Sequence, residues 1–311
     1  MTAERRAFLA YLSLAFVMLF WAGNAIVGRA VRGDIPPFTL AFLRWAVALI
    51  VLLPLAWRHC IRDRAALVQS WKMVFTLGIL GVGCFNGFLY IGLHYTNATN
   101  ALLLQAAVPA GVLLADRLLF RQLAPAWRVA GVTVSTIGVV IVIIKADISA
   151  LADLRLGLGD LLVLAAVVTW SLYTSLLRLK PPVHALSLLS ATFLIGALCM
   201  APLAAVEWAA GDRPNPEPAV VAAVLYVATF PSVLSYLLFN GAVEQIGGGK
   251  AGQTTSLMPL FGALIAALVL GEPLHGYHYA GMALIFGGIA MSVAMDRKPA
   301  SSAIGAAKRV E

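Results

Sequence analysis

Polar and aromatic side chains interrupt several stretches of this sequence that are otherwise strongly apolar. In "QAAVPAGVLLADRL", residues 105–118, Gln105 precedes Pro109 by about one helical turn. Amide, hydroxyl and indole groups of this kind can form hydrogen bonds with a solute and stack against its flat parts. These residue types indicate the lining of a binding site for a small molecule.

Two prolines stand at matching places in the sequence, Pro109 and Pro259. Because proline has no N–H, each frees the carbonyl four residues earlier, that of Gln105 or that of Thr255. The prolines can be structural kinks whose freed carbonyls are satisfied by neighbouring helices and water. The alternative is that they expose those carbonyls to a central cavity and act as hinges.

A pair of tryptophans occupies mid-helix positions, whereas most tryptophans of membrane proteins lie in the interfacial belts. The helical period places Trp21 and Asn24 on one face, and it places Trp170 and Tyr173 on another. Each indole taken alone could simply pack against a neighbouring helix. Their matching positions on polar-edged faces favour the walls of a cavity.

A third matching set lies further along each half of the chain. Asn86 and Tyr90 are four residues apart, as are Tyr236 and Asn240, so the same two side-chain types recur in exchanged order. Polar groups inside a bilayer can be satisfied by one another across helices. The alternative is that they face a solute.

The elements that position these residues are long apolar runs. The chain is 61% hydrophobic and 12% charged, whereas soluble domains have about 25% charged residues. Runs of about 20 apolar residues predict membrane-spanning helices. Ten are predicted, at 8–31, 38–57, 72–94, 98–120, 127–145, 160–178, 184–206, 219–242, 251–270 and 277–295.

The basic residues predict the orientation of these helices. Most of the 22 lysines and arginines fall on the side that carries the N-terminus. By the positive-inside rule both termini are cytoplasmic. We expect the protein to lie in the inner (cytoplasmic) membrane of a bacterium. The net charge of +8 therefore reports orientation and predicts no nucleic-acid partner.

The second half of the sequence repeats the first at an offset of about 150 residues. Ala101 matches Ala251 and Gly138 matches Gly288, while Trp21 matches Trp170 at an offset of 149. The predicted units are residues 1–146 and 157–298, followed by a disordered cytoplasmic tail at 299–311. Five spans in each unit force opposite orientations, which predicts two inverted five-helix repeats with the substrate between them.

Several segments resemble a known family. These are "LFWAGNAIVGR", "LAFLRW", "ALLLQAAVPAGVLLADRLL" and "AGQTTSLMPLFGALIAALVLGEPL". They look like the EamA-type branch of the drug/metabolite transporter superfamily, and most like its aromatic amino-acid exporters of the YddG type. The resemblance implies an all-α polytopic membrane protein with ten helices in two inverted repeats, which exports metabolites from the cytoplasm.

Charges within the predicted spans are scarce. No acidic residue falls near the centre of a span, where proton-coupled pumps for cations usually carry a carboxylate. Arg44 is about two turns inside the second span, from which its side chain is expected to extend outward to the interface. The predicted lining therefore has no fixed charge, which suits a neutral or zwitterionic solute with an apolar body.

The sequence predicts a facilitative exporter of neutral, especially aromatic, amino acids that works by alternating access. The alternative is a broad-specificity exporter of drugs or of purines and nucleosides, with proton coupling. The predicted substrate-binding residues are Trp21, Asn24, Asn86, Tyr90, Gln105, Trp170, Tyr173, Tyr236, Asn240 and Thr255, with hinges at Pro109 and Pro259.

Other classes of function find little support. The histidines fall at span ends or in loops, so they do not form the clusters that an intramembrane enzyme needs. Cys60, Cys84 and Cys199 have no metal-ligand spacing. We therefore expect no enzymatic activity, no metal and no cofactor, and a monomer whose partners are its solute and the lipid bilayer.

Overall fold

The computed structural model describes residues 3–96, 98–144, 157–270 and 275–295. Within these ranges the chain forms helices joined by short connections, and it forms no strand. The all-helical fold class is therefore confirmed. The predicted tail at 299–311 lies outside the described residues.

We number the helical segments α1 to α10 in chain order. They are α1 Ala3–Ala30, α2 Pro37–Gln69, α3 Trp71–Tyr95, α4 Ala98–Gln105 with Val108–Phe120, α5 Ala126–Ile143, α6 Leu158–Leu179, α7 Ala185–Ala209, α8 Pro218–Ile246, α9 Gly248–Gln253 with Thr254–Leu257 and Met258–Leu270, and α10 Gly276–Met295.

Six of the described helices are long and apolar enough to cross a membrane, namely α1, α2, α3, α6, α7 and α8. A run of this length is what a hydrocarbon core of about 30 Å requires. The protein is therefore a multi-pass membrane protein. Helices α4 and α9 are divided into shorter pieces, and the apolar part of α5 is short.

Helices α3 and α8 contain π-helical turns at equivalent places, Ile79–Cys84 and Thr229–Leu234. In α8 the cause is Pro231, which cannot donate to the carbonyl of Val227. The Ser232 hydroxyl donates to that carbonyl instead, over 2.7 Å. Such turns leave backbone carbonyls available to other groups and are frequent at functional sites.

Helices α4 and α9 break just before their prolines. Pro109 and Pro259 are each the second residue of a new helical piece, where the missing N–H costs no hydrogen bond. The carbonyl of Thr255 accepts from the Met258 N–H in a 3₁₀ turn, so the prediction that this carbonyl is free was wrong. A hinge role for the prolines stays a prediction.

Helices of the first half of the chain pack in pairs with helices of the second half. Helix α2 packs along α7, and α5 packs along α10. The second part of α3 packs on α6, as the second part of α8 packs on α1. At the crossing of α5 and α10, a Cβ on Gly138 would lie 2.8 Å from the Gly281 carbonyl oxygen, so these backbones need small residues to approach each other.

Carboxylates join the α2 and α7 pair at both ends. Glu207 of α7 accepts from the N–H groups of Phe38 and Thr39 at the start of α2, over 2.9 and 2.7 Å. Asp63 of α2 accepts from the His184 N–H at the start of α7, over 2.8 Å. Each helix thus caps the N-terminus of the other, and these bonds hold α2 and α7 in place relative to each other.

Candidate functional site

The two mid-helix tryptophans meet at the centre of the molecule. The ring centroids of Trp21 on α1 and Trp170 on α6 are 4.9 Å apart, and the rings are perpendicular at 88°. Tyr236 lies 5.6 Å from Trp170, and Phe239 lies 5.2 Å from Trp21. The structure therefore brings together aromatic groups from both halves.

The space left among these rings is small. Two cavities of about 20 and 10 Å³ share the lining residues Trp21, Phe85, Gln105 and Met258. A volume of this size holds about one water molecule. The centre is therefore closed, and it must open before a larger solute can enter.

Most of the predicted lining residues border these two cavities. Trp21, Asn24, Gln105 and Tyr236 line one of them, and Trp170 and Thr255 line the other. Arg44, Phe85, Leu89 and Met258 also line the first. The apolar members among them gave no signal in the sequence, because they are ordinary residues of apolar helices.

Arg44 of α2 does not extend outward, so the prediction that it reaches the membrane interface was wrong. Its side chain points into the bundle and is only 1% exposed. The guanidinium lies over the Trp45 ring, 4.6 Å from the ring centroid. The lining therefore does carry a fixed positive charge.

The hydrogen bonds of Arg44 connect three other helices. Its acceptors are Ser232 Oγ at 2.6 Å, Asn86 Oδ1 and Tyr90 Oη at 2.8 Å, Asn24 Oδ1 at 3.2 Å and the Pro231 carbonyl at 3.3 Å. These groups lie on α1, α3 and α8. Polar residues predicted to serve a solute thus satisfy a buried cation in this state.

Two tyrosine–asparagine pairs stand at equivalent positions on either side of the centre. Tyr90 on α3 donates to Asn24 on α1, and Tyr173 on α6 donates to Asn240 on α8, each over 2.9 Å. We call Tyr90 and Asn24 the outer pair, and we call Tyr173 and Asn240 the inner pair. The sequence identified all four positions, and in this state they satisfy one another across helices, which is one of the two alternatives left open above.

The π-turns of α3 and α8 supply equivalent backbone acceptors. Tyr236 Oη donates to the Gly81 carbonyl, and Trp21 Nε1 donates to the Pro231 carbonyl over 3.0 Å. Gly81 and Pro231 occupy matching places in the two turns. In each half, a carbonyl that would accept a backbone hydrogen bond in an ordinary helix instead accepts one from an aromatic side chain of the other half. These two bonds hold the aromatic side chains in place.

Larger cavities lie above and below the closed centre. The inner cavity, about 540 Å³, is lined by residues that include Thr174, Asn240 and the ion pairs Asp116–Arg178 and Glu244–Lys180. The outer cavity, about 420 Å³, is lined by residues that include Ile91, His94 and Glu207. The positive-inside pattern predicts that the inner cavity faces the cytoplasm.

Comparison with known proteins identifies the family. The model of the EamA-like transporter family matches residues 8–144 and, separately, residues 157–294. These two matches cover most of the chain, and they fall in its first and second halves. The protein therefore belongs to the EamA-like transporter family, and the resemblance seen in the sequence is confirmed at this level.

Relatives occur in bacteria and archaea. The uncharacterized transporter YetK of Bacillus subtilis is 29% identical over 294 residues, which are 93% of this chain and 88% of YetK. An uncharacterized transporter of Archaeoglobus fulgidus is 29% identical over 293 residues, 93% of this chain and 98% of its own. The general function is therefore transport across a membrane.

A protein of known crystal structure has the same fold. It superimposes with a TM-score of 0.74 at 20% sequence identity, and the match covers 96% of this chain and all of the other. At that level of identity the likeness concerns the architecture alone.

Proposed function

We propose that this transporter exports neutral, especially aromatic, amino acids from the cytoplasm, as the YddG-type members of its family do. The observation that carries this proposal is the pairing of Trp21 with Trp170 between the two halves. Indole faces and edges attract flat apolar groups. The amides of Asn24 and Gln105 border the same cavity and can hydrogen-bond the polar end of such a solute.

The proposed architecture is ten spans in two inverted repeats, residues 1–146 and 157–298, in the cytoplasmic membrane of a bacterium. Six of the described helices are long and apolar enough to cross a membrane, and α4, α5, α9 and α10 would supply the other four spans. Two family matches and two π-turns at matching positions support the repeat. We further propose that the protein works as a monomer with both termini cytoplasmic.

Alternating access would use the two tyrosine–asparagine pairs as gates. The inner cavity reaches Asn240 of the inner pair. The outer cavity reaches Ile91, next to Tyr90 of the outer pair. Separation of Tyr173 from Asn240 would admit a solute from the inner side, and separation of Tyr90 from Asn24 would release it outward. Breaks before Pro109 and Pro259 would let α4 and α9 bend in turn.

Transport is proposed to be facilitative. Among the described carboxylates, those that line a cavity, such as Asp116, Glu207 and Glu244, border the inner or outer cavity and not the central ones. A proton relay through the membrane usually needs an ionisable carboxylate or histidine at its centre. Solute would therefore move down its own gradient, and no chemical conversion is involved.

The test is uptake by proteoliposomes that contain the purified protein, without an ion gradient. Labelled phenylalanine, tryptophan, a purine and a lipophilic cation are offered. We expect saturable entry of the amino acids. Uptake of only the purine or the cation, or amino-acid uptake that requires a pH gradient, would contradict the proposal.

Variants connect this activity to the centre. Trp170→Ala is expected to reduce amino-acid uptake at least about tenfold, because loss of an aromatic contact costs about 0.5–1.5 kcal/mol beyond the lost buried area. Trp71→Ala is the matched control, since Trp71 is 58% exposed at a helix end. Equal uptake by both variants, at equal thermal stability, would contradict the assignment of the solute-binding site to the centre around Trp170.

A further inference from the structure

We propose that the Arg44 guanidinium is the receptor for a carboxylate of the transported solute, so that this carrier selects solutes by their carboxylate. This inference rests on the proposed function in one respect, namely that the closed centre is the place where solute binds. It goes further because it assigns the charged group and predicts which analogues are rejected.

The first argument is the charge balance around Arg44. Two cations at the inner cavity have carboxylate partners: Arg178 lies 2.5 Å from Asp116, and Lys180 lies 2.8 Å from Glu244. Arg44 is deeper and almost fully buried, yet no described aspartate or glutamate pairs with it. A buried cation surrounded only by neutral dipoles costs free energy, which an anionic ligand would lower.

The second argument is the number of donors. A guanidinium has five N–H groups, one on Nε and two on each terminal nitrogen. Nη1 has three acceptors, whereas Nη2 has only the Pro231 carbonyl at 3.3 Å among the described residues. One N–H of Nη2 is therefore available to a carboxylate, as a charge-assisted hydrogen bond of the stronger kind.

The third argument is the surroundings. Arg44 lines the central cavity together with Trp21, Phe85 and Gln105. The adjoining cavity includes Trp170, whose indole N–H is buried and has no acceptor among the described residues. A site with unfilled donors next to aromatic surfaces suits an anionic head on a flat apolar body. It does not suit a solute whose only charge is positive.

Wild-type protein provides the first test, with four compounds that share a phenyl ring. Phenylalanine and 3-phenylpropionate carry a carboxylate, whereas phenylalaninamide and phenethylamine carry none. Competition against labelled phenylalanine and thermal stabilisation of the purified protein are both measured. We expect the first two to bind about 10- to 100-fold more tightly, the range for hydrogen bonds to a charged group. Equal binding of phenethylamine would overturn the inference.

Variants locate the selection at one residue. Arg44→Gln is expected to lose this preference, and Arg44→Lys is expected to keep part of it, because it retains the charge without the planar fork. Arg178→Gln is the matched control and should leave the ranking unchanged. An unchanged ranking in Arg44→Gln would overturn the inference while the proposed function stands. If Arg44→Gln does not fold, the relative binding of the four compounds to the wild-type protein still tests the inference.

The two proposals can fail separately. Binding of 3-phenylpropionate without binding of phenylalanine would refute amino-acid export and support carboxylate recognition by Arg44. Uptake of phenylalanine together with equally tight binding of phenylalaninamide would support amino-acid export and refute carboxylate recognition by Arg44. Absence of binding by every carboxylate tested would refute both.

Discussion

The outer and inner tyrosine–asparagine pairs have the same geometry but different surroundings. Arg44 donates to both members of the outer pair, Tyr90 and Asn24. Within the described part of the chain, no cation donates a hydrogen bond to the inner pair of Tyr173 and Asn240. The two halves of the chain therefore share this hydrogen bond and differ in the charge that reinforces it.

The position that matches Arg44 shows how this difference arises. At the offset of 148 residues, which relates Pro54 to Pro202, the second half carries Thr192, which is buried. Its hydroxyl donates to the Leu189 carbonyl of its own helix over 3.1 Å. One half thus carries a neutral hydroxyl at this place and the other a cation. We therefore expect the inner pair to separate more easily than the outer pair.

The strongest test of this comparison acts on the matching residues of the two π-turns. A Cβ on Gly81 would lie 2.6 Å from Cγ of the buried Tyr173 ring, so Gly81→Ala must displace a member of the inner pair. We expect a loss of about 1–3 kcal/mol in the free energy of unfolding, as for other overpacked sites. Pro231→Ala adds no atoms and should cost less. Denaturation in detergent measures both, and equal losses would contradict the comparison.

An effect of similar size is expected when one hydroxyl is removed from each pair. Tyr90→Phe deletes a bond to Arg44 as well as one to Asn24, and should cost about 1.5–3 kcal/mol. Tyr173→Phe deletes a single bond between neutral groups and should cost about 0.5–1.5 kcal/mol. Thermal unfolding of the two variants gives the difference. If Tyr173→Phe is the more damaging, the outer pair is not the reinforced one.

The smallest effect concerns salt. Arg178 pairs with Asp116 at the inner cavity, whereas its counterpart Arg29 donates to the Leu93 carbonyl over 2.7 Å. Partly exposed ion pairs contribute at most about 1 kcal/mol and are screened by salt. Raising the salt from about 0.1 to 1 M should therefore increase access to the inner cavity only.

Cysteine labelling measures this access. Thr174→Cys reports the inner cavity and Ile91→Cys the outer one, in a protein whose Cys60, Cys84 and Cys199 have been replaced. We expect faster labelling at position 174 in high salt and no change at 91. Faster labelling at both positions would show that salt loosens the whole bundle instead of the inner side.

Many of the central residues could be predicted because polar and aromatic groups are rare in apolar helices. Trp21, Gln105 and Trp170 were found in this way, and the structure places them around the central cavities. Arg44 could also be recognised in the sequence, but the direction in which its side chain points could not. A residue two turns inside a helix can reach the interface or the interior, and only the neighbouring helices decide which.

The sequence by itself determined the helical, membrane-spanning class, the internal repeat and the identity of the polar residues within apolar runs. These follow from composition and period, which are local properties. Tertiary structure alone decided that Asn24 and Tyr90 meet across two helices and that Arg44 joins them, because hydrogen bonds between helices depend on how the helices pack. It also decided that the centre is closed, since the space between aromatic rings is set by packing rather than by sequence order.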